Sequence, residues 1–167
     1  MRLIHRYFRR AVKMNFFIWV GVVCILTGAL SACADTTPLI QDKTFVAWVY
    51  LDNLEQRGGS VLTLDDLHAR FDGIVFGEIA SGKWMGGSDQ WHRTPQNQSV
   101  FPEETADNNT PVQIALVYEG REVRIFRNGE VYTQYDMQTP LFFGPESVAI
   151  LGLRHLEAGD HACLEGS

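Results

Sequence analysis

The sequence predicts an all-β fold, an antiparallel sandwich of short strands. Stretches of alternating or β-branched apolar residues recur along the chain with Gly-rich turns between them. Asn128-Gly129 separates two such stretches, and a type I′ hairpin turn requires positive φ at both central residues. Helical periodicity is confined to one modest stretch, Leu64 to Arg70.

The first predicted strand is Lys43 to Leu51. Phe45, Ala47, Val49 and Leu51 share one face and Val46, Trp48 and Tyr50 the other, so the strand is either buried on both sides or carries an aromatic platform. Within it, Trp48 is assigned to core or inter-strand packing. Gly58-Gly59 introduces a second strand, Ser60 to Leu64, and Gly73 to Ile79 forms a third, rich in β-branched and aromatic residues. Ala80 to Thr110 reads as a long polar loop with Trp84 and Trp91 embedded in it. Val112 to Tyr118 alternates as a half-buried strand, and Glu119-Gly120 turns the chain into Val123 to Arg127. The Asn128-Gly129 turn sets a register in which Arg127 faces Glu130, Phe126 faces Val131 and Ile125 faces Tyr132. Ser147 to Leu153 supplies a last apolar strand.

The N-terminus is a different kind of sequence. Arg2, Arg6, Arg9, Arg10 and Lys13 precede an apolar run from Phe16 to Leu30, which Ser31-Ala32-Cys33 closes. The run is short for a permanent membrane span and resembles a bacterial lipoprotein signal. That resemblance implies removal of residues 1–32, acylation of Cys33, export to the bacterial cell envelope and a membrane anchor through lipid alone. Residues 33–42 then form a polar tether, and 43–167 the domain. Removing residues 1–32 takes five of the 14 basic residues and none of the 20 acidic ones, leaving a formal charge of −11. Such a charge repels nucleic-acid backbones and anionic lipid, which excludes nucleic acid as an expected partner. Cys163 is left without an intramolecular partner, so the domain must fold by packing. No Cys/His cluster has the spacing of a zinc site.

Seven segments together resemble a laminin-G-like domain of the concanavalin A-like lectin/glucanase superfamily. They are Phe45-Val46-Ala47-Trp48-Val49, Arg57 to Leu62, Phe71 to Glu78, Trp84-Met85-Gly86-Gly87-Ser88-Asp89, Ile114 to Tyr118, Arg127-Asn128-Gly129-Glu130 and Leu151-Gly152-Leu153-Arg154-His155. The resemblance implies a jelly-roll sandwich that binds glycan or a surface protein. It also implies missing first and last strands, because the family's opening and closing strand patterns have no counterpart here. Reduced stability, association through an exposed sheet edge and a truncated gene product all stay open as consequences. Calcium is implied by family analogy only, with Asp52, Asn53, Asp72, Asp107 and Asn108 as oxygen donors in turn-rich contexts.

Hydrolysis is not expected. The superfamily's glucanases aim a Glu-x-Asp-x-Glu run into one cleft by period-two spacing, and no such run is present. Asp65-Asp66 and Glu103-Glu104 are adjacent pairs, read as solvated acids. His68, His92, His155 and His161 are scattered. The candidate carbohydrate site is the Gly/Ser-rich loop, where Trp84 and Trp91 either offer stacking faces or fold back to cap the sandwich, and Asp89, His92 and Arg93 offer hydrogen bonds to hydroxyls. The expected function is therefore a non-catalytic binding module. A scaffold that associates through an open sheet edge is the alternative, and a degenerate glycoside hydrolase ranks last.

Overall fold

Apolar alternation along the described residues becomes eight strands in two antiparallel sheets. The computed structural model describes residues 38–156 and 163–167. The signal segment and Cys33 lie outside the described residues. The strands are β1 (Lys43–Val49), β2 (Gly59–Asp65), β3 (Phe71–Phe76), β4 (Trp84–Ser88), β5 (Val112–Glu119), β6 (Glu122–Arg127), β7 (Glu130–Asp136) and β8 (Val148–Leu151). One sheet runs β1-β5-β6-β7 and the other β4-β3-β2-β8. Inward residues of both sheets form one core, in which Ile114, Leu116 and Ile125 of the first meet Ile74, Phe76 and Trp84 of the second. This is a β-sandwich. Pairing reaches into the segment read as tether, where Ile40 and Phe143 form an isolated bridge through two 2.9 Å backbone hydrogen bonds.

Ions are enclosed at one end of the core. Asp72 is fully buried, with the Lys43 ammonium 2.8 Å from one carboxylate oxygen and the Arg93 guanidinium on the other. Lys43 also lies 4.5 Å from the centre of the Tyr118 ring. Burial pulls its ammonium below the usual lysine range, and Asp72 offsets only part of that fall.

Several expectations need correction. The stretch read as loop from Ala80 to Thr110 contains β4, fully buried beside β3. Its two glycines hide the strand from propensity, yet tertiary contact requires them. A Cβ on Gly86 would sit 2.8 Å from the Tyr135 hydroxyl and 3.2 Å from that of Tyr118. Leu64 to Arg70 is no helix. Strand β2 runs through Asp65, and the Asp65 and Asp66 carboxylates then accept the Leu67, His68 and Arg70 N–H groups, competing with helical hydrogen bonds.

At the hairpin, Asn128 and Gly129 adopt φ of +50° and +84°, and Arg127 and Phe126 face Glu130 and Val131 as expected. Ile125 instead faces Thr133, because a bulge intervenes. The extra residue brings Tyr132 and Tyr135 to the same side of β7, where both rings meet Phe101. Trp48 is not packed in the core: β1 is an edge strand, and the indole is 66% exposed on its outer face. Nor are all the paired acids solvated, since Asp65, Asp66 and Glu104 are buried.

Candidate functional site

Trp84 and Trp91, both placed in one loop by the sequence, have opposite fates. The Trp84 indole is 0% exposed and tilts onto Phe76 with ring centres 4.7 Å apart. Its Nε1–H donates to Glu104 Oε2 at 2.8 Å. The same carboxylate accepts both Arg127 donors, at 2.8 and 2.6 Å, and the Thr105 and Ala106 N–H groups. Burial by itself would raise the Glu104 pKa; Arg127, Trp84 and the two amides hold it down to about 2. Trp84 therefore offers no face to a sugar. Its role is to pin the loop to the β6–β7 hairpin.

Trp91 is thrown outward. Gln90 and Trp91 hold φ of +47° and +56°, a left-handed turn that bulky residues rarely adopt. The turn is anchored from below by Arg93, itself buried. Its guanidinium donates to Asp72, to Asp89 and to the Phe71 carbonyl, and its N–H donates to Ser88 Oγ. Arg93 is thus a structural tie, spent on protein partners. Trp91 is left 42% exposed, beside His92, whose ring lies half exposed 3.4 Å from Asp89.

Together with Glu78, Ile79 and Gln96, Trp91 lines an open groove of about 270 Å³. Arg57 fixes this rim by donating to the Gly77, Glu78 and Ile79 carbonyls. Arg154 holds Glu78 Oε1 at 2.6 Å, while Oε2 is itself buried, with no hydrogen-bond partner among the described residues. The groove therefore combines an indole, a carboxylate, an amide and an apolar wall. Of the five predicted residues it contains Trp91 itself, with Asp89 and His92 in the adjoining turn; Trp84 and Arg93 belong to the scaffold. Sequence reasoning did not single out Glu78, Ile79 or Gln96, which no motif connects to Trp91.

A second pocket, of about 560 Å³, lies at the β2–β3 turn and is lined by Asp65, Leu67, His68, Ala69, His155 and Leu156. Leu67 and Ala69 hold φ of +63° and +64° there. Asp65 Oδ2 bonds the His155 ring, which stands edge-on to Phe71 at 4.9 Å. The neighbouring Arg154 lies 5.6 Å over the same phenyl ring and reaches on to Glu78, so consecutive residues join the two concavities. Among the residues implied for calcium, Asp72 is taken by two cations. Asp107 accepts from Asn109 and Thr110 in its own turn, and Asn53 donates to Glu165. No group of three or more His, Cys, Asp or Glu side chains gathers as a metal centre among the described residues.

No protein-family model and no curated protein sequence matches the chain. Among solved structures it is similar to a Bacteroides ovatus protein provisionally described as carbohydrate binding. The TM-score is 0.57 at 14% identity, over 78% of this chain. The chain spans 36% of that protein's length. At this identity the likeness establishes the sandwich fold.

Proposed function

We propose that the domain is a non-catalytic carbohydrate-binding module of the laminin-G-like type, held at the bacterial envelope by an acylated Cys33, and that Trp91 is its stacking platform. One observation carries the reading: a tryptophan in a left-handed turn, anchored by a buried arginine, exposes its indole beside Glu78 and Gln96. Bulky residues hold such a conformation only where the surroundings over-determine it, and such strain clusters at binding sites. A pyranose has an apolar C–H face to lay on the indole and hydroxyls to donate to Glu78 and exchange with Gln96. The carbohydrate description of the Bacteroides ovatus protein supports this reading as an analogy of fold.

Glycan-array screening followed by calorimetry tests it. Trp91→Ala should weaken glycan binding by about 2 kcal/mol, roughly 30-fold, as loss of a central aromatic anchor does. Trp91→Gly should lose binding equally while raising stability by about 1 kcal/mol, because glycine adopts the turn without strain. Glycan affinity that survives both substitutions would place the site elsewhere. Metabolic labelling with a fatty acid, lost in Cys33→Ala, tests the anchor separately.

A further inference from the structure

We infer that the pocket at the β2–β3 turn is a second subsite beside the Trp91 groove, so that the module recognises an uncharged oligosaccharide chain and not a single sugar; the inference rests on the Trp91 reading. The two concavities share one face of the second sheet. In β3, Ile74 and Phe76 point into the core, so Phe71 and Val75 point outward, where they join Met85 in a separate apolar cluster with Ile79 packed against it. Ile79 is a wall of the Trp91 groove. Over Phe71 stand the Arg154 guanidinium, at 5.6 Å, and the His155 ring, at 4.9 Å. Arg154 ties down Glu78 of the groove, and His155 lines the pocket. The wall between the two concavities is therefore two consecutive residues on one phenyl ring.

The pocket offers groups that suit a hydroxyl. Asp65 and Asp66 are buried, and their carboxylates take the Leu67, His68 and Arg70 N–H groups, which holds Leu67 and Ala69 at positive φ. The Ala69 N–H has no partner among the described residues and is left as a donor. A carboxylate accepts and does not donate, so the contact with Asp65 Oδ2 places the His155 proton on Nδ1 and makes Nε2 an acceptor. Both Asp65 oxygens are thereby spent, one on Leu67 and one on His155. A sugar hydroxyl answers an oriented acceptor and an amide donor together, whereas a carboxylate has no proton to give Nε2. The excess of 20 acidic over 14 basic residues also disfavours an anionic glycan.

Size points to a chain. The Trp91 groove, at about 270 Å³, falls below the roughly 300–1,000 Å³ of ordinary ligand sites, and the pocket adds about 560 Å³ next to it. A ligand filling both must cross the Arg154–His155 wall, which a single sugar on Trp91 does not do.

The test is calorimetry on the full 167-residue chain with neutral ladders of one to six sugar units, cut from cellulose, mannan, xylan and starch. Oligogalacturonate is the charged counterpart. Joining two subsites makes the second contact intramolecular, so affinity for the neutral ladder that binds should rise at least tenfold between two and four units. His155→Ala should abolish that rise, leaving the tetramer no tighter than the dimer, while Trp91→Ala lowers affinity at every length. Asp65→Asn keeps an acceptor for the Leu67 N–H but turns a donor toward His155, which moves the imidazole proton to Nε2. It should abolish the rise too, with the nitrogen-15 shifts of His155 reporting the exchanged tautomer and urea unfolding reporting an intact fold. An equal rise in wild type and His155→Ala overturns the inference and leaves the Trp91 reading standing, as does tighter binding of oligogalacturonate than of any neutral ladder. Indifference of every length to Trp91→Ala overturns the Trp91 reading, and the inference with it.

Discussion

The two margins of the sandwich are built from the same kind of strand and finished in opposite ways. Along the β4–β7 margin, the segment after Ser88 folds back over the strand edges. Thr94 Oγ1 donates to the Gly86 carbonyl, the Trp84 N–H donates to Tyr132 Oη, and Tyr132 Oη donates to the Pro102 carbonyl. Glu104 then locks Trp84, Arg127 and two amides around one buried carboxylate. Along the β1–β8 margin, the described residues supply the Phe143 and Ser167 contacts and the Leu164 side chain, and between these the described backbone and apolar groups stay open. One margin has its polar groups satisfied internally and the other presents them outward. That difference separates a margin locked by a buried carboxylate from one held only at its ends, and substitutions on each side should report it.

The largest expected effect lies on the closed margin. Glu104→Ala strips a buried carboxylate from Arg127 and Trp84 and should destabilise the domain by about 3–5 kcal/mol in urea unfolding. A loss below about 1 kcal/mol would mean that the loop is held by apolar contact alone. Acid probes the same carboxylate. Its folded pKa of about 2 lies below the ordinary 4.5, so its contribution is complete above pH 4.5 and disappears as pH falls through about 2. Wild type should lose about 3 kcal/mol across that window, and Glu104→Gln should show a correspondingly flatter profile. The smallest effect belongs to the open margin. Trp48→Thr removes an exposed indole from an edge strand and should change stability by no more than about 0.5 kcal/mol, measured by thermal melting. A large loss there would show that β1 depends on its outer face.

Much of this architecture is readable from residue order. The even and odd faces of β1, the alternation of β5 and the positive-φ demand at Asn128-Gly129 are local, period-two signals that survive folding unchanged. The strand β4 was not readable. Trp84-Met85-Gly86-Gly87-Ser88 has a weak local preference for extension, and its glycines make sense only beside the Tyr118 and Tyr135 hydroxyls, which arrive from distant strands. The site was partly legible. An indole near polar residues in a Gly-rich loop pointed to Trp91, but the same signal included Trp84, for which only the apolar neighbour Met85 hinted at a capping role. Glu78 and Gln96 joined Trp91 through the return of the chain across β3 and β4, a relation with no spacing to betray it.

Period and turn chemistry alone determine that this chain forms antiparallel strands, where one hairpin reverses, and which face of each strand is apolar. Burial is a different kind of property, because a residue's exposure depends on what the rest of the chain brings against it. Hence tertiary packing alone decided that Trp84 is enclosed, that Trp48 and Trp91 are not, and that Glu104 is paired in the interior. Among the described residues it likewise covered one margin and left β1 as the last strand of its sheet at the other.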